Sequence, residues 1–206
     1  MASNSTGLWR MSGGRVSFFG PLDGLSDSRV LSLYEDREGS LWVGTASGLD
    51  RFRDTRFTAF TVREKLPSNE ASMAMETRDG SLYVFCTGGG LARIRNDQVT
   101  PITRKDGLPS LYGNGIFESR DGSLWLGTTG GLTRYKDGEF RQYPAHGRLA
   151  NYYISAISED DEGLIVTTSE TLALRLRDGE VRPLTIRGQT TPLSTPGNYT
   201  FAIDRD

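Results

Sequence analysis

Short apolar runs separated by Gly, Asp and Ser recur along the whole chain. The runs are five to seven residues long and rich in Val, Leu, Phe, Trp and Thr, the composition typical of strands. In the clearest stretch they predict four strands, at 30–34, 41–45, 49–53 and 57–61. No window has apolar residues at three- and four-residue spacing over three turns, so the pattern does not indicate helices.

The pattern is a repeat. Four similar segments read EDREGSLWVGT, ETRDGSLYVFCT, ESRDGSLWLGT and EDDEGLIVTT. Their anchor glycines are 41, 42 and 41 residues apart, at Gly39, Gly80, Gly122 and Gly163. A leucine stands 14 residues ahead of each glycine, at Leu25, Leu66, Leu108 and Leu149. Four strands in a repeat of about 41 residues are typical of a β-propeller blade.

We therefore predict an all-β fold, a single β-propeller fragment over residues 1–206. Complete four-stranded blades are expected at about 30–61, 71–103, 114–143 and 154–186, with partial blade strands at 7–19 and 199–206. Two arrangements follow from the partial blades: they join into a small ring, or a longer protein continues the incomplete ring on both sides. We expect the second, because the portion missing between them is the most regular hairpin of the repeat.

Strand order assigns the connections to two ends of each blade. In an antiparallel four-stranded sheet alternate connections share an end, so the hairpin turns at the anchor glycines lie with Asp137-Gly138 and Asp178-Gly179 at a "hairpin end". The long connections 65–69, 105–114 and 146–153 lie at the opposite "loop end", where binding residues are usually found. The candidate ligand-binding residues there are aromatics and amides that do not repeat between blades: Tyr112, Asn114, Asn151, Tyr152 and Tyr153.

Composition and charge exclude several function classes. The formal net charge is -2, which provides no long-range attraction to nucleic acid or to an anionic membrane. No apolar run approaches the roughly 18 residues of a membrane span. We expect no nucleic-acid partner and no membrane contact by this region.

Candidate catalytic chemistry is sparse. His146 is the only histidine and Cys86 the only cysteine; we interpret them as a surface histidine and a small buried thiol. The acidic residues, such as Asp121, recur at one hairpin position per blade, where Asp and Gly are the residues that a tight turn requires. The pattern therefore predicts no catalytic residue, no metal site and no cofactor.

Two further repeated positions are interpreted as structural. Equivalent second-strand residues are expected to pack between blades: Trp42, Tyr83, Trp125 and Ile165. Arg51, Arg93 and Arg134 stand on third strands and are expected to pair with carboxylates of neighbouring blades.

The segments GSLWVGT and GSLWLGT, the glycine-leucine-x-Arg turns and the lead-ins beginning at Asp23 and Asp106 resemble two-component regulator propeller repeats. The resemblance covers nearly the whole chain and weakens in the fourth copy, where Gly-Thr becomes Thr167-Thr168. It implies a periplasmic sensory region of a membrane-anchored hybrid histidine kinase, or of a related regulator with a diguanylate cyclase output, and it transfers no catalytic residues.

The resemblance therefore implies a non-catalytic module that senses a small molecule or an oligosaccharide, commonly a glycan fragment, within a sensor that dimerises as a full-length protein. Two alternatives stay open. A lyase or glycosidase would need carboxylates from separate blades to cluster, and a protein-interaction scaffold would show a broad apolar patch instead of a polar pocket.

Overall fold

The structure is a computed structural model that describes residues 2–3, 7–54, 56–143, 153–168, 173–186 and 189–190. The described residues form antiparallel sheets, three short 3₁₀ helices lie in connections between sheets, and no helix among the described residues is long and apolar enough to cross a membrane. The chain divides into two compact units, Met1–Asp106 and Gly107–Asp206.

The first unit contains a small N-terminal sheet and two four-stranded sheets, which we call blade 1 and blade 2. In each sheet the strands follow one another in chain order. The N-terminal sheet consists of Ala2–Ser3, Gly7–Ser12 and Arg15–Phe19. Blade 1 consists of Val30–Glu35, Leu41–Thr45, Leu49–Arg53 and Arg56–Phe60. Blade 2 consists of Ala71–Glu76, Leu82–Cys86, Gly90–Arg95 and Gln98–Ile102. The 3₁₀ helices are Pro21–Asp23, Val62–Glu64 and Arg104–Asp106.

The second unit contains blade 3, blade 4 and a short strand pair. Blade 3 consists of Gly113–Glu118, Leu124–Thr128, Gly131–Lys136 and Glu139–Tyr143. Blade 4 consists of Ile154–Asp160, Gly163–Thr168, Ala173–Arg177 and Glu180–Pro183. The strand pair is Thr185–Ile186 with Gln189–Thr190. The strands predicted for the first repeat agree with those of blade 1 to within one residue. The strand predicted within 199–206 and the landmark Leu149 lie outside the described residues.

The hairpin turn between the first two strands of blade 3 is held by its own side chains. Asp121 accepts hydrogen bonds from the Ser119 hydroxyl at 2.6 Å, the Ser123 backbone N–H at 2.9 Å and the Ser123 hydroxyl at 3.0 Å. Gly122 has φ +79°, a conformation that glycine adopts without strain. Trp125 Nε1 donates to the Ser119 hydroxyl at 3.0 Å, which ties the turn to the buried ring. The structural interpretation of this acidic position is therefore confirmed.

Hydrogen bonding in these turns controls the carboxylate pKa. Burial raises the pKa of Asp79 in blade 2, but donors on Thr77 and Ser81, with the Arg93 guanidinium, outweigh it and hold the pKa at about 2. The same balance holds the pKa of Asp121 well below its usual range. Both carboxylates are ionised at neutral pH and are fully engaged as turn acceptors.

The hairpin turns of blades 1 and 4 are formed with other residues. In blade 1, Asp36 replaces the serine and accepts from Trp42 Nε1 at 2.7 Å. In blade 4 the serine after the glycine is missing, so Asp160 pairs directly with Gly163 and the turn shortens to two residues. Gly163 then takes φ +130°, which an L side chain rarely adopts.

The third-strand arginines correct part of the sequence prediction. Arg93 and Arg134 pair with their own hairpin turns, at 2.9 Å to Asp79 and 2.7 Å to Asp121, so the prediction of neighbouring-blade partners is wrong for them. It is confirmed for Arg51, which bonds Asp97 of blade 2. In blade 1 the residue before the anchor glycine is Glu38, which pairs with Arg53.

Adjacent blades in each unit are joined by an apolar cluster and by a polar clamp, in which an arginine of one blade bonds a glutamate of the next. Arg37 of blade 1 bonds Glu76 of blade 2 through both its backbone N–H, at 3.0 Å, and its guanidinium, at 2.9 Å. Arg120 of blade 3 likewise donates its N–H to Glu159 of blade 4 at 2.8 Å. The second-strand side chains predicted to pack are all 5–7% exposed, which confirms their core role: Trp42, Tyr83, Trp125 and Ile165.

Two glycines set how closely the blades approach. A Cβ built on Gly44 of blade 1 would lie 2.3 Å from the Ala71 carbonyl oxygen of blade 2. One built on Gly127 of blade 3 would lie 2.7 Å from Cγ2 of Ile154 in blade 4. These are the glycines of the Gly-Thr pair that ends the second strand, and any side chain there would push the neighbouring first strand away.

A buried carboxyl anchors the connection into blade 1. Asp50 Oδ2 accepts from the Ser26 backbone N–H at 3.0 Å and the Ser26 hydroxyl at 2.6 Å. At these two positions blades 2 and 3 have Pro67 with Ala92 and Pro109 with Thr133. Proline has no N–H to donate, so the aspartate occurs only where serine supplies one. Asp50 Oδ1 is buried and accepts no hydrogen bond from the described part of the chain, and burial raises the pKa of Asp50.

Replacing Gly127 by alanine tests the close approach. We expect Gly127→Ala to lower the free energy of unfolding by about 1–3 kcal/mol, because the added methyl overpacks the contact with Ile154. Gly130→Ala in the same blade is the matched control: its Cβ would meet its nearest neighbour at 3.6 Å. The free energy of unfolding of this control should stay within about 1 kcal/mol of the wild-type value. Urea denaturation measures both, and equal effects would contradict the interpretation.

Asp50 and Asp27 should contribute to stability with opposite pH dependence. The raised pKa of Asp50 means that its contribution is fully present below its unfolded pKa, 3.8, and is lost as pH rises through its folded value. The pKa of Asp27 is lowered, so its contribution is present above 3.8 and is lost as pH falls. The stability of wild type relative to Asp50→Asn should therefore fall as pH rises from 3 to 7, and relative to Asp27→Asn it should rise. Thermal unfolding across this range checks the signs, and slopes of the same sign would refute the assignment.

Candidate functional site

The residue just before the first strand of each blade lies at the loop end in a repeated backbone setting. This pre-strand position is occupied by Arg29, Glu70, Tyr112 and Tyr153. In blades 1 to 3 its carbonyl accepts a hydrogen bond from the residue that follows the second strand, at 3.2, 2.8 and 3.1 Å. The backbone is therefore held in place while the side chain varies from blade to blade.

A side-chain brace supports the same position. The residue two places earlier accepts the pre-strand N–H: Asp27 from Arg29 at 2.7 Å, and Ser110 from Tyr112 at 3.3 Å. Each brace also contacts the turn after the second strand, since Asp27 accepts from the Ser47 hydroxyl at 2.7 Å and Ser110 lies 3.0 Å from the Thr129 hydroxyl. The Arg29 N–H and the Ser47 hydroxyl lower the pKa of Asp27.

A β-bulge follows the pre-strand position in every blade. The register of the first strand skips one residue, at positions 31, 72, 114 and 155. Bulges bend a strand locally and redirect the side chains around them, and they are common beside functional sites. Asn114, a predicted ligand-binding residue, is the bulged residue of blade 3.

The pre-strand side chains of adjacent blades lie within reach of each other in the first unit. Arg29 and Glu70 form an ion pair at 3.6 Å, both side chains about half exposed, so the pair contributes little to stability. In the second unit the same two positions carry Tyr112, which is 51% exposed, and Tyr153, which is partly buried. Burial raises the pKa of Tyr153.

This placement corrects one premise of the sequence prediction. Tyr112 and Tyr153 were expected not to repeat between blades, but they occupy equivalent positions in blades 3 and 4. Asn151 and Tyr152 lie outside the described residues, as does His146. Sequence reasoning missed the brace and the relation to Arg29 and Glu70. The signal was present, because each pre-strand residue follows a landmark leucine by four positions.

The remaining chemistry is structural wherever it is described. Cys86 is fully buried, and burial raises the pKa of its thiol to about 12, which leaves it unreactive. A groove of about 340 Å³ opens between blades 1 and 2 at the hairpin end, lined by charged residues that include the paired Arg51 and Asp97. Within the described ranges, no group of three or more His, Cys, Asp or Glu could hold a metal ion.

Comparison with known proteins identifies the repeat. A family model described as two component regulator propeller matches residues 24–47, which include the landmarks Leu25 and Gly39. Histidine kinase P4 of Formosa agariphila is 45% identical over 42 residues, which are 20% of this chain and 3% of that protein. The chain thus spans a small part of the curated relative it matches.

Solved structures share the fold over a larger part of the chain. The extracellular domain of the hybrid two component system BT3049 from B. thetaiotaomicron has a TM-score of 0.77 at 21% identity, covering 97% of this chain and 28% of that chain. Virginiamycin B lyase from Staphylococcus aureus has a TM-score of 0.63 at 19% identity, covering 77% of this chain and 56% of that chain. At these identities the likeness shows the fold alone, which is the predicted β-propeller. The chain thus has the predicted β-propeller fold, and its first repeat, at residues 24–47, is a two component regulator propeller repeat.

Proposed function

We propose that this chain is a ligand-sensing propeller module of a two-component signalling protein and acts on the outer side of the membrane, in the periplasm. The observation that carries the proposal is the two-component regulator propeller match together with the 42-residue similarity to a histidine kinase. The fold that it shares with the extracellular domain of a hybrid two component system supports the same role. In this role the chain binds a ligand and catalyses no reaction.

The loop end of blades 3 and 4 is the proposed contact surface. Tyr112 has a braced backbone and a half-exposed ring, and Tyr153 occupies the matching position of the next blade. A tyrosine offers an apolar ring and a hydroxyl, which suits the apolar face and hydroxyl edge of a sugar ring. An oligosaccharide is therefore the proposed ligand class.

The structural similarity to virginiamycin B lyase does not favour a second function, because at 19% identity it shows a shared fold alone. Asp79 and Asp121, the hairpin-turn carboxylates with lowered pKa, already accept hydrogen bonds within their own turns. Catalysis would require them to leave those turns.

Ligand binding should depend on the Tyr112 ring. In a thermal-shift screen of the chain against a panel of neutral and acidic oligosaccharides, we expect at least one stabilising member. Calorimetric titration of that member should give an affinity at least about tenfold weaker for Tyr112→Ala, the loss of about 1.4 kcal/mol of binding energy. Tyr112→Phe should retain most of the affinity, because the ring stays.

Glu139→Ala is the matched control, on an exposed residue at the hairpin end of the same blade, and it should bind like wild type. A panel with no binding member would contradict sensing of oligosaccharides, and wild-type affinity of Tyr112→Ala would contradict the assigned surface. Turnover of a bound oligosaccharide would replace the sensory proposal with an enzymatic one.

A further inference from the structure

The pre-strand residues of blades 1 and 2, Arg29 and Glu70, present opposite charges from a fixed backbone. The Arg29 carbonyl accepts a hydrogen bond from the Ala46 N–H at 3.2 Å, and the Glu70 carbonyl accepts one from the Thr87 N–H at 2.8 Å. The two side chains are 51% and 40% exposed. Both charged groups therefore reach solvent at the loop end of the first unit from positions that the backbone holds in place.

The contact between these two side chains leaves most of their hydrogen-bonding capacity open. Arg29 Nη2 lies 3.6 Å from Glu70 Oε2, which is longer than the usual N–H···O distance of about 2.7–3.2 Å. Among the described residues, Arg29 forms no other ion pair and no hydrogen-bond donor contacts the Glu70 carboxylate. A guanidinium only donates and a carboxylate only accepts, so a set of donors stands beside a set of acceptors.

The other acidic side chains of the two connections that lead into blades 1 and 2, residues 20–29 and 61–70, have structural roles. Asp23, Asp27 and Glu64 each accept a backbone N–H of their own connection, at 2.8, 2.7 and 2.9 Å. They fix the shape of the connections, as the turn aspartates do at the hairpin end. Glu70 differs from these three because its carboxylate faces solvent without such a bond in the described part of the chain.

Asn69 and Val62 extend the surface beside the pair. Asn69 Oδ1 accepts the Val62 N–H at 2.8 Å, so the NH2 of the same amide is the group left to donate next to Glu70. The Val62 side chain, at the start of its 3₁₀ helix, is 53% exposed. Donors, an acceptor and an apolar side chain together match the hydroxyl edge and the C–H face of a sugar ring.

The charge of the two connections distinguishes neutral from acidic ligands. They contain four acidic side chains, Asp23, Asp27, Glu64 and Glu70, and three basic ones, Arg29, Arg63 and Lys65. A ligand carboxylate would meet this excess of negative charge, and it would have to expel Glu70 in order to pair with Arg29. A hydroxyl both donates and accepts, so it can donate to Glu70 and accept from Arg29 while their charges stay together.

We propose that Arg29 and Glu70 form a hydroxyl-binding pair that recognises adjacent hydroxyls of a neutral sugar and selects against acidic sugars. The inference rests on the proposed oligosaccharide-sensing function, and it adds the charge class of the ligand and a second contact region, in the first unit. Glu70 accepts from the sugar hydroxyls and Arg29 donates to them. Asn69 donates a further hydrogen bond, and Val62 contacts the C–H face of the ring.

The test is an NMR titration of the 206-residue chain with single sugars. The probes are the methyl glycosides of galactose and glucose and the matched methyl glycosides of galacturonate and glucuronate. The readout is the signal of the Arg29 Cζ carbon, which is assigned by its loss in Arg29→Lys. Each neutral glycoside should shift this signal in a saturable manner, with an affinity at least about threefold higher than that of its uronate.

Two variants of Glu70 separate its hydrogen bonds from its charge. Glu70→Ala should weaken binding of the neutral glycosides at least about fivefold, the scale of a lost hydrogen bond. Glu70→Gln keeps the size and one acceptor oxygen but removes the charge, so it should abolish the preference for neutral over acidic glycosides. Glu38→Gln is the matched control, because Glu38 pairs with Arg53 at the hairpin end with side chains 71% and 49% exposed. It should leave both affinities unchanged.

The hydroxyl-binding pair is contradicted if no neutral glycoside shifts the Arg29 signal more than the Arg53 signal. It is also contradicted if a uronate binds more tightly than its neutral parent, since an acid would then displace Glu70. Neither result involves Tyr112, so the two proposals can fail separately. An oligosaccharide whose affinity depends on Tyr112 and not on Glu70 would exclude the pair and support the sensory role. Neutral glycosides that occupy the pair in a chain that binds no oligosaccharide would do the reverse.

Discussion

The spacing between adjacent sheets is the constraint on which the rest of each unit depends. Gly44 and Gly127 let the first strand of the next blade come so close that a methyl group would collide with it. At that spacing the second-strand aromatics Trp42 and Trp125 are almost fully buried, and each belongs to an apolar cluster that includes residues of the next blade. Dispersion and apolar burial both depend steeply on this distance, so a small widening weakens every contact in the interface.

The polar groups at the hairpin end maintain this geometry. Each turn acidic residue satisfies backbone N–H groups that a tight turn leaves unpaired, and the buried indole of Trp42 or Trp125 donates to the same turn. The clamp from Arg37 to Glu76 then joins one turn to the next blade. The chemistry that resembles paired catalytic carboxylates is thus used in folding, and the pKa of Asp79, about 2, reflects the donors that surround it.

The loop end differs from the hairpin end in that its exposed side chains vary from blade to blade. In blades 1 to 3 the pre-strand carbonyl and the brace residue keep the same role, whereas the pre-strand side chains form an ion pair in blades 1 and 2 and are tyrosines in blades 3 and 4. A fixed backbone with variable side chains allows recognition to change without disturbing the packing of the sheets. This division explains why the residues proposed to contact ligand lie on so regular a scaffold.

The amino-acid sequence by itself determined the repeat, the strands of blade 1, the two ends of each blade and the structural role of the turn aspartates. These follow from local rules: alternation of apolar residues, turn chemistry and a fixed period. It did not reveal that Arg93 bonds its own turn while Arg51 reaches Asp97, or that the first strand of each blade carries a bulge. Tertiary structure decided those points, because the partner of an arginine depends on which carboxylates lie within reach of its guanidinium, and because a bulge depends on the register between two paired strands.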